Sequence, residues 1–189
     1  MIKSVVDQTF KDWELLIVDD GSTEDIKSVI QSFNDERISY HRFTENKGIP
    51  YGINFAFKEA KGEYVQPLAA DETLVNTKLA DQVDYLDEHP EVDCVWGLPQ
   101  FCAENESKET GLRPDWEQYF FKAHNRSKES WLKTLLMLDH VPLGSCSALW
   151  RRSVFDSIGY FDNKLTSFVD HEWYCRFFTK HVGKVLPYR

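Results

Sequence analysis

Nowhere in the 189 residues do about 18 apolar residues run together, the length a membrane-spanning helix needs. No signal-peptide pattern opens the chain either, so the cytoplasm is the expected compartment, with peripheral membrane association left open. The four cysteines (Cys94, Cys102, Cys146 and Cys175) lack paired zinc-type spacing and suggest no secreted disulfide frame. Reduced, mostly buried thiols are the expectation. Positive charge is scarce: 22 Lys and Arg stand against 31 Asp and Glu, a net charge of −9. That balance disfavours bulk attraction to nucleic acid or to an anionic membrane. An anionic ligand would need a metal or a few well-placed bases. Repeats, low-complexity tracts and linkers are absent too, so residues 1–189 read as one domain with a sizeable core.

What is present is an ordinary globular composition, with 42% hydrophobic and 28% charged residues. Aromatic residues make up 14%, including six tryptophans, which suits either sugar stacking or core packing. The informative stretch is "WELLIVDDGSTED", Trp13 to Asp25. Leu15 to Val18 form a short unbroken apolar run, expected to be a strand buried on both faces. Gly21 turns the chain, and Ser22 or Thr23 is expected to cap a helix carrying Ile26, Val29, Ile30 and Phe33 on one face. Asp19 and Asp20 therefore sit at the carboxyl end of a strand, where open α/β sheets bind ligands.

The first half alternates strand and helix. "RISYHRF" reads as a strand, "NKGIPYGINFAFKEAKG" as a helix ended by Gly62, and "EYVQPL" as the next strand. A helix over 77–88 stops before Pro90, and "VDCVW" at 92–96 follows as a strand. Such βα units imply a parallel sheet with right-handed crossovers. Residues 99–127 break the rhythm and read as an acceptor-side insert. Beyond it come a helix over 128–139, a strand in "GSCSALWRR", a short helix from Ser153 to Ile158, a helix in "DHEWYCRFFTKH" and a last strand in "VGKVLPY". The opening "MIKSVVDQTF" reads as the later part of an amphipathic helix, so the domain is expected to lack the strand with which a doubly wound fold normally begins.

Four segments, "SVVDQTFKDWELLIVDDGSTED", "ENKGIPYGINFAFKEAKGEYV", "GSCSALWRRSVFDSIGYFD" and "DHEWYCRF", come in the order and spacing of family 2 glycosyltransferases. The chain resembles their GT-A catalytic domain from Ser4 to about Leu186. The resemblance implies an α/β, Rossmann-related, mostly parallel sheet flanked by helices. It also implies inverting transfer of a sugar from a nucleotide diphosphate donor, a UDP-sugar first of all, to a hydroxyl of a glycan or lipid-linked acceptor. Asp19 and Asp20 would accept hydrogen bonds from the nucleoside base and ribose. Lys47 of "ENKG" would meet the base or diphosphate, helped by a helix N-terminus.

The family's Asp-x-Asp metal motif corresponds to "PLAADETL". Here Asp71 matches the second acid, Glu72 is the acid beside it, and Ala69 replaces the first. Mg²⁺ or Mn²⁺ held by Asp71, with the nucleotide's help, is the expected cofactor. The plainer reading is that "ADET" caps the following helix. Asp170 of "FVDHEWYCRF" matches the catalytic base, favoured over His171, with Glu172 and Arg176 as neighbours. Gly144 and Ser145, together with Glu72, are expected to line the donor-sugar pocket, and Arg151 and Arg152 to face solvent. Trp116, Trp131 and Trp173 are stacking candidates, the last two better placed as core. The competing reading is an inactive nucleotide-sugar-binding or remnant domain. A nucleotidyltransferase is disfavoured, because no Gly-rich phosphate loop opens the chain.

Overall fold

The computed structural model describes residues 1–98, 126–137 and 145–186. Two sheets organise them. In the first, β1 (Leu15–Asp19) pairs parallel with β2 (Ile38–Arg42), joined through the short helix α2 (Ile26–Gln31). Helix α3 (Ile49–Glu59) packs on β1. The second sheet runs in the order β3 (Tyr64–Val65), β5 (Ala148–Arg151), β4 (Cys94–Trp96), β6 (Gly183–Val185). Around it lie α4 (Lys78–Glu88), α5 (Lys128–Leu136), α6 (Ser153–Ile158) and α7 (Val169–Lys180). The α/β class stands, yet the described pairings are mixed. β1–β2 and β4–β6 are parallel, while β5 runs against both β3 and β4. The series of parallel crossovers breaks at β5, which is entered from the 3₁₀ turn Ser145–Ser147.

Four tryptophans anchor the main core: Trp96, Trp131, Trp150 and Trp173 are essentially inaccessible, with Phe155, Phe177 and Phe178 between them. Ring pairs such as Trp131–Phe178 and Phe155–Trp173 stack at 5.7 and 4.9 Å, a geometry that adds to plain area burial. Trp131 and Trp173 are therefore core residues. Trp116, Cys102 and nearly all of the expected insert lie outside the described residues. Cys94 is buried, and the thiols of Cys146 and Cys175 are free and half-buried.

Several local expectations change. The Leu15–Val18 run is half-buried rather than covered on both faces; α3 packs on β1, and among the described residues the strand pairs with β2 alone. Asp25, not Ser22 or Thr23, caps α2, accepting from Ser28 N at 3.4 Å. Only Ile30 of that helix is buried, and Val29 lies exposed. Arg151 is not a solvent-facing residue. Its guanidinium donates to the carbonyls of Leu86 at 2.5 Å and Val92 at 3.0 Å, fastening β5 to the end of α4. Arg152 is half-buried and donates to Gly62 O at 2.8 Å.

The N-terminal helix α1 (Ile2–Val6) has a defined task. Gln8, just past its end, is fully buried; its Nε2 donates to Val75 O at 2.7 Å and its Oε1 accepts from Leu79 N at 3.0 Å. The second bond satisfies one of the orphan N–H groups in the first turn of α4, whose own N-cap, Thr77, makes no side-chain cap.

Candidate active site

The site begins where β1 ends. Gly21 has a φ of +81°, and a Cβ there would sit 3.0 Å from the backbone of Glu45 and Asn46. Only glycine meets both demands, the left-handed turn and the close approach of the neighbouring loop. The turn sends the two acids to different places. Asp19 points inward with its side chain wholly buried. Oδ1 accepts from Ser22 N at 2.8 Å, Oδ2 accepts from Tyr40 Oη at 2.6 Å, and Arg42 Nε lies 3.5 Å away. Burial alone would raise its pKa, but the Tyr40 and Ser22 hydrogen bonds and the Arg42 charge outweigh burial and hold it below the ordinary value. Asp19, expected to accept from the nucleoside base or ribose, instead has both oxygens engaged within the chain and no exposed side-chain surface. Tyr40 and Arg42 were not singled out from the sequence. Their i, i+2 spacing on β2 is the available signal, since it puts both side chains on one face beside the acid strand.

Asp20 is half-buried and reaches across to the next helix. Oδ1 accepts from Lys47 N at 2.7 Å and Oδ2 from Gly48 N at 2.8 Å, which ties the end of β1 to the start of α3. Two candidates, Asp20 and Lys47, are thereby brought together. Each Asp20 oxygen keeps acceptor capacity beyond those bonds. The Lys47 ammonium is exposed and sits over the rings of Phe43 and Tyr51, at 5.1 and 4.8 Å from their centroids.

The acid loop follows β3. Asp71 is exposed and has no partner among the described residues, whereas Glu72 folds back so that its Oε2 accepts from Ala69 N at 3.1 Å. Glu72 also lies beside the thiol of Cys146, whose pKa burial first and this carboxylate second push up to about 12. The helix-cap reading of "ADET" fails on distance along the chain, because α4 starts at Lys78 with Thr77 as its cap. Among the described residues no three His, Cys, Asp or Glu side chains converge into a metal cage. A single exposed carboxylate still fits Mg²⁺ or Mn²⁺, which take one or two protein carboxylates and complete their shell with water and substrate phosphate. Gly144 lies outside the described residues, and Ser145 begins the 3₁₀ turn beside Cys146.

The third element is the start of α7. Asp170 is exposed in its first turn, with Oδ1 accepting from His171 N at 2.8 Å. Its neighbours are occupied otherwise. His171 Nε2 lies 2.9 Å from Leu135 O, pinning α7 to the last turn of α5. Glu172 is paired with Arg176 at 2.6 Å, and the same guanidinium donates to the carbonyls of Ile158 at 2.5 Å and Tyr160 at 2.8 Å. No described contact joins Asp71 or Asp170 to the Asp20–Lys47 pair.

Comparison with known proteins places this arrangement. The profile described as "Glycosyl transferase family 2" matches residues 1–158. An uncharacterized glycosyltransferase of Rickettsia typhi is 28% identical over 179 residues, 93% of this chain and 52% of that protein. The Escherichia coli UDP-Glc:alpha-D-GlcNAc-diphosphoundecaprenol beta-1,3-glucosyltransferase WfaP is 35% identical over 86 residues, 46% of this chain and 34% of its own. Residues 1–349 of S. aureus TarS superpose with a TM-score of 0.77 at 22% identity, covering 100% of this chain and 53% of that one. The UDP complex of the same protein gives 0.74 at 20% identity, with coverages of 100% and 53%. A mannosyltransferase from Pyrobaculum calidifontis, PcManGT, in complex with GDP-Man and Mn²⁺, gives 0.71 at 17%, with coverages of 98% and 49%. At these identities the structural likeness establishes the fold, of the GT-A type. The chain spans about half the length of the Rickettsia relative it matches.

Proposed function

The chain belongs to glycosyl transferase family 2, and from that premise we propose that it performs an inverting transfer of a sugar from a UDP-sugar to an acceptor hydroxyl. Asp20 receives the nucleoside: its remaining lone pairs accept from the imide N–H of the base or from a ribose hydroxyl. Asp19, sealed beneath it, holds the turn in place. Lys47, fixed through its own backbone to Asp20, brings a positive charge to the base or diphosphate of the donor. Asp71 is the residue that would hold Mg²⁺ or Mn²⁺, whose charge would offset that of the diphosphate. Glu72 and Ser145 belong to the donor-sugar side of the site.

Asp170 is the base. As the acceptor hydroxyl oxygen bonds to the anomeric carbon and the bond to the diphosphate breaks, the hydroxyl proton passes to the Asp170 carboxylate. The observation that carries this assignment is the occupation of its neighbours. His171 is spent on the Leu135 carbonyl and Glu172 on Arg176, so Asp170 alone in "DHE" keeps a carboxylate oxygen without a partner among the described residues. The glucosyltransferase relative, named for a diphosphoundecaprenol-linked sugar, supports a glycan or lipid-linked acceptor in polysaccharide synthesis. Ala69 in place of an acid favours the second reading, a nucleotide-sugar-binding domain without turnover.

The test is donor binding and turnover side by side. UDP should bind in calorimetry, and Asp20→Ala should weaken it by about 1–3 kcal/mol, the scale of a charge-assisted hydrogen bond. Asp170→Asn should keep UDP affinity and lower sugar transfer by a factor on the order of 10²–10⁴, with His171→Ala costing far less. Equal turnover in Asp170→Asn would overturn the base assignment. UDP binding without transfer to any of a broad set of glycan and lipid-linked acceptors would favour the binding domain.

A further inference from the structure

Lys78 has no part in the roles above, yet it joins three elements. From the first residue of α4 its Nζ donates to Gln66 Oε1 at 2.6 Å and to Gln82 Oε1 at 2.6 Å. Charged or neutral, the amine keeps at least two N–H donors, and both amides turn their oxygens toward it. Each amide nitrogen is then aimed the other way. Gln66 Nε2 donates to Cys146 O at 3.0 Å, and Gln82 Nε2 donates to Ser147 O at 2.9 Å. Gln82 is only 3% exposed, so a flipped amide would set oxygen against oxygen where water cannot intervene. The two bonded carbonyls belong to the 3₁₀ turn, and the turn is linked in its own right to the acid loop. The Cys146 thiol meets Glu72, and Glu72 closes on Ala69 N. Hydrogen bonds thus run from Lys78 to the 145–147 turn, and the Cys146 side chain beside Glu72 carries the contact on to the loop that presents Asp71.

The amine occupies this place at a cost. Among the described residues it forms no ion pair, and burial pulls its pKa down to about 7 against the weaker opposing influence of the Cys146 and Cys94 thiols. A neutral side chain of the same length would fill the space without that penalty, so the position gains from the N–H donors.

We propose that Lys78 is a positioning residue of the donor site: by fixing the Gln66 and Gln82 amides it holds the 145–147 turn, and through Cys146 and Glu72 the Asp71 loop, in the arrangement that receives the metal-bound diphosphate. The ligand in this inference rests on the glycosyltransferase reading. The hydrogen-bond chain does not.

The experiment uses the whole chain and two probes, UDP alone and UDP with Mn²⁺, titrated calorimetrically against wild type, Lys78→Met, Gln66→Met and the double variant. Lys78→Met should weaken UDP binding in the presence of Mn²⁺ by about tenfold, the scale of one charged hydrogen bond. UDP alone, bound at Asp20, should be nearly unaffected. The double variant should be no worse than the poorer single one, because both break the same chain. Side-chain amide resonances of Gln66 and Gln82 should exchange with solvent faster in Lys78→Met, a change that requires no ligand. Additive losses, or equal losses with and without Mn²⁺, would overturn the positioning role. Unchanged glutamine exchange would overturn it independently. A wild-type protein that binds no UDP would instead overturn the donor reading, with the amide spectra still deciding what Lys78 holds. Should Lys78→Met fail to fold, Gln66→Met carries the same comparison alone.

Discussion

The buried carboxylate of Asp19 provides the sharpest test of how the β1 turn is built, through Tyr40→Phe. The substitution removes one oxygen atom and leaves the ring in place. What is lost is the 2.6 Å bond from Tyr40 Oη to an Asp19 oxygen whose side chain has no exposed surface. Hydrogen bonds to charged groups are worth about 1.5–3 kcal/mol, and the upper half applies here because water cannot replace the donor. Arg42, with its own side chain 52% exposed and its Nε at 3.5 Å, compensates only in part. A loss near 2 kcal/mol in a chain of this size lowers Tm by about 4–8 °C. The loss should also depend on pH in a defined direction. Asp19 has its pKa depressed below 3.8 in the folded state, so its stabilising contribution is complete above that value and disappears as pH falls through the lower folded pKa. Thermal and urea melts of wild type and Tyr40→Phe should therefore differ fully at pH 7 and converge as the pH drops below 3.8. Identical melts at pH 7, or a gap that persists in strong acid, would refute the account of Asp19 as a buried, ionised anchor.

Two further outcomes can be checked with the same proteins. Gly183→Ala should destabilise by about 3 kcal/mol or more, because its Cβ would fall 2.2 and 2.5 Å from the ring of Trp96, which is wholly buried and has no room to move; urea denaturation measures this. Ala69→Asp should tighten Mn²⁺ binding in the presence of UDP, since position 69 is exposed and one turn of loop from Asp71; calorimetric Mn²⁺ titration showing no gain would count against Asp71 as the ligand.

Much of the architecture was legible because periodic patterns carry it. The helix expected over 77–88 is found at Lys78–Glu88, and the one expected from Ser153 to Ile158 has those bounds. The misses have physical causes. An apolar run such as Leu15–Val18 reports that a strand is favourable, but how far it is buried depends on which elements cover it. Ser22 looked like a helix cap from its residue type, but α2 begins only at Ile26, which puts Asp25 at the cap position. Arg151 looked like a surface charge because its partners, the carbonyls of Leu86 and Val92, leave no trace in the sequence. Lys78 was invisible for the same reason in reverse. An ordinary lysine at a helix start gives no sign that two glutamine oxygens will enclose it.

The three acidic segments share a division of labour that bears on the chemistry. In each, one carboxylate is committed to the chain: Asp19 to Tyr40 and Ser22, Glu72 to Ala69 N and Cys146, Glu172 to Arg176. Among the described residues the companion acids, Asp71 and Asp170, have no side-chain partner, and Asp20 has only backbone donors. Loops carrying uncommitted acids would ordinarily wander and lose the geometry that catalysis demands; here the committed acid of each segment fastens the turn on which the other stands. A chain of net charge −9 must also overcome its own field to receive a diphosphate. The pairing of Glu172 with Arg176 and the nearness of Arg42 to Asp19 reduce that repulsion locally. Under the proposed function, the charge left at Asp71 favours a cation between it and the diphosphate, so Mn²⁺ should tighten the binding that UDP alone obtains at Asp20.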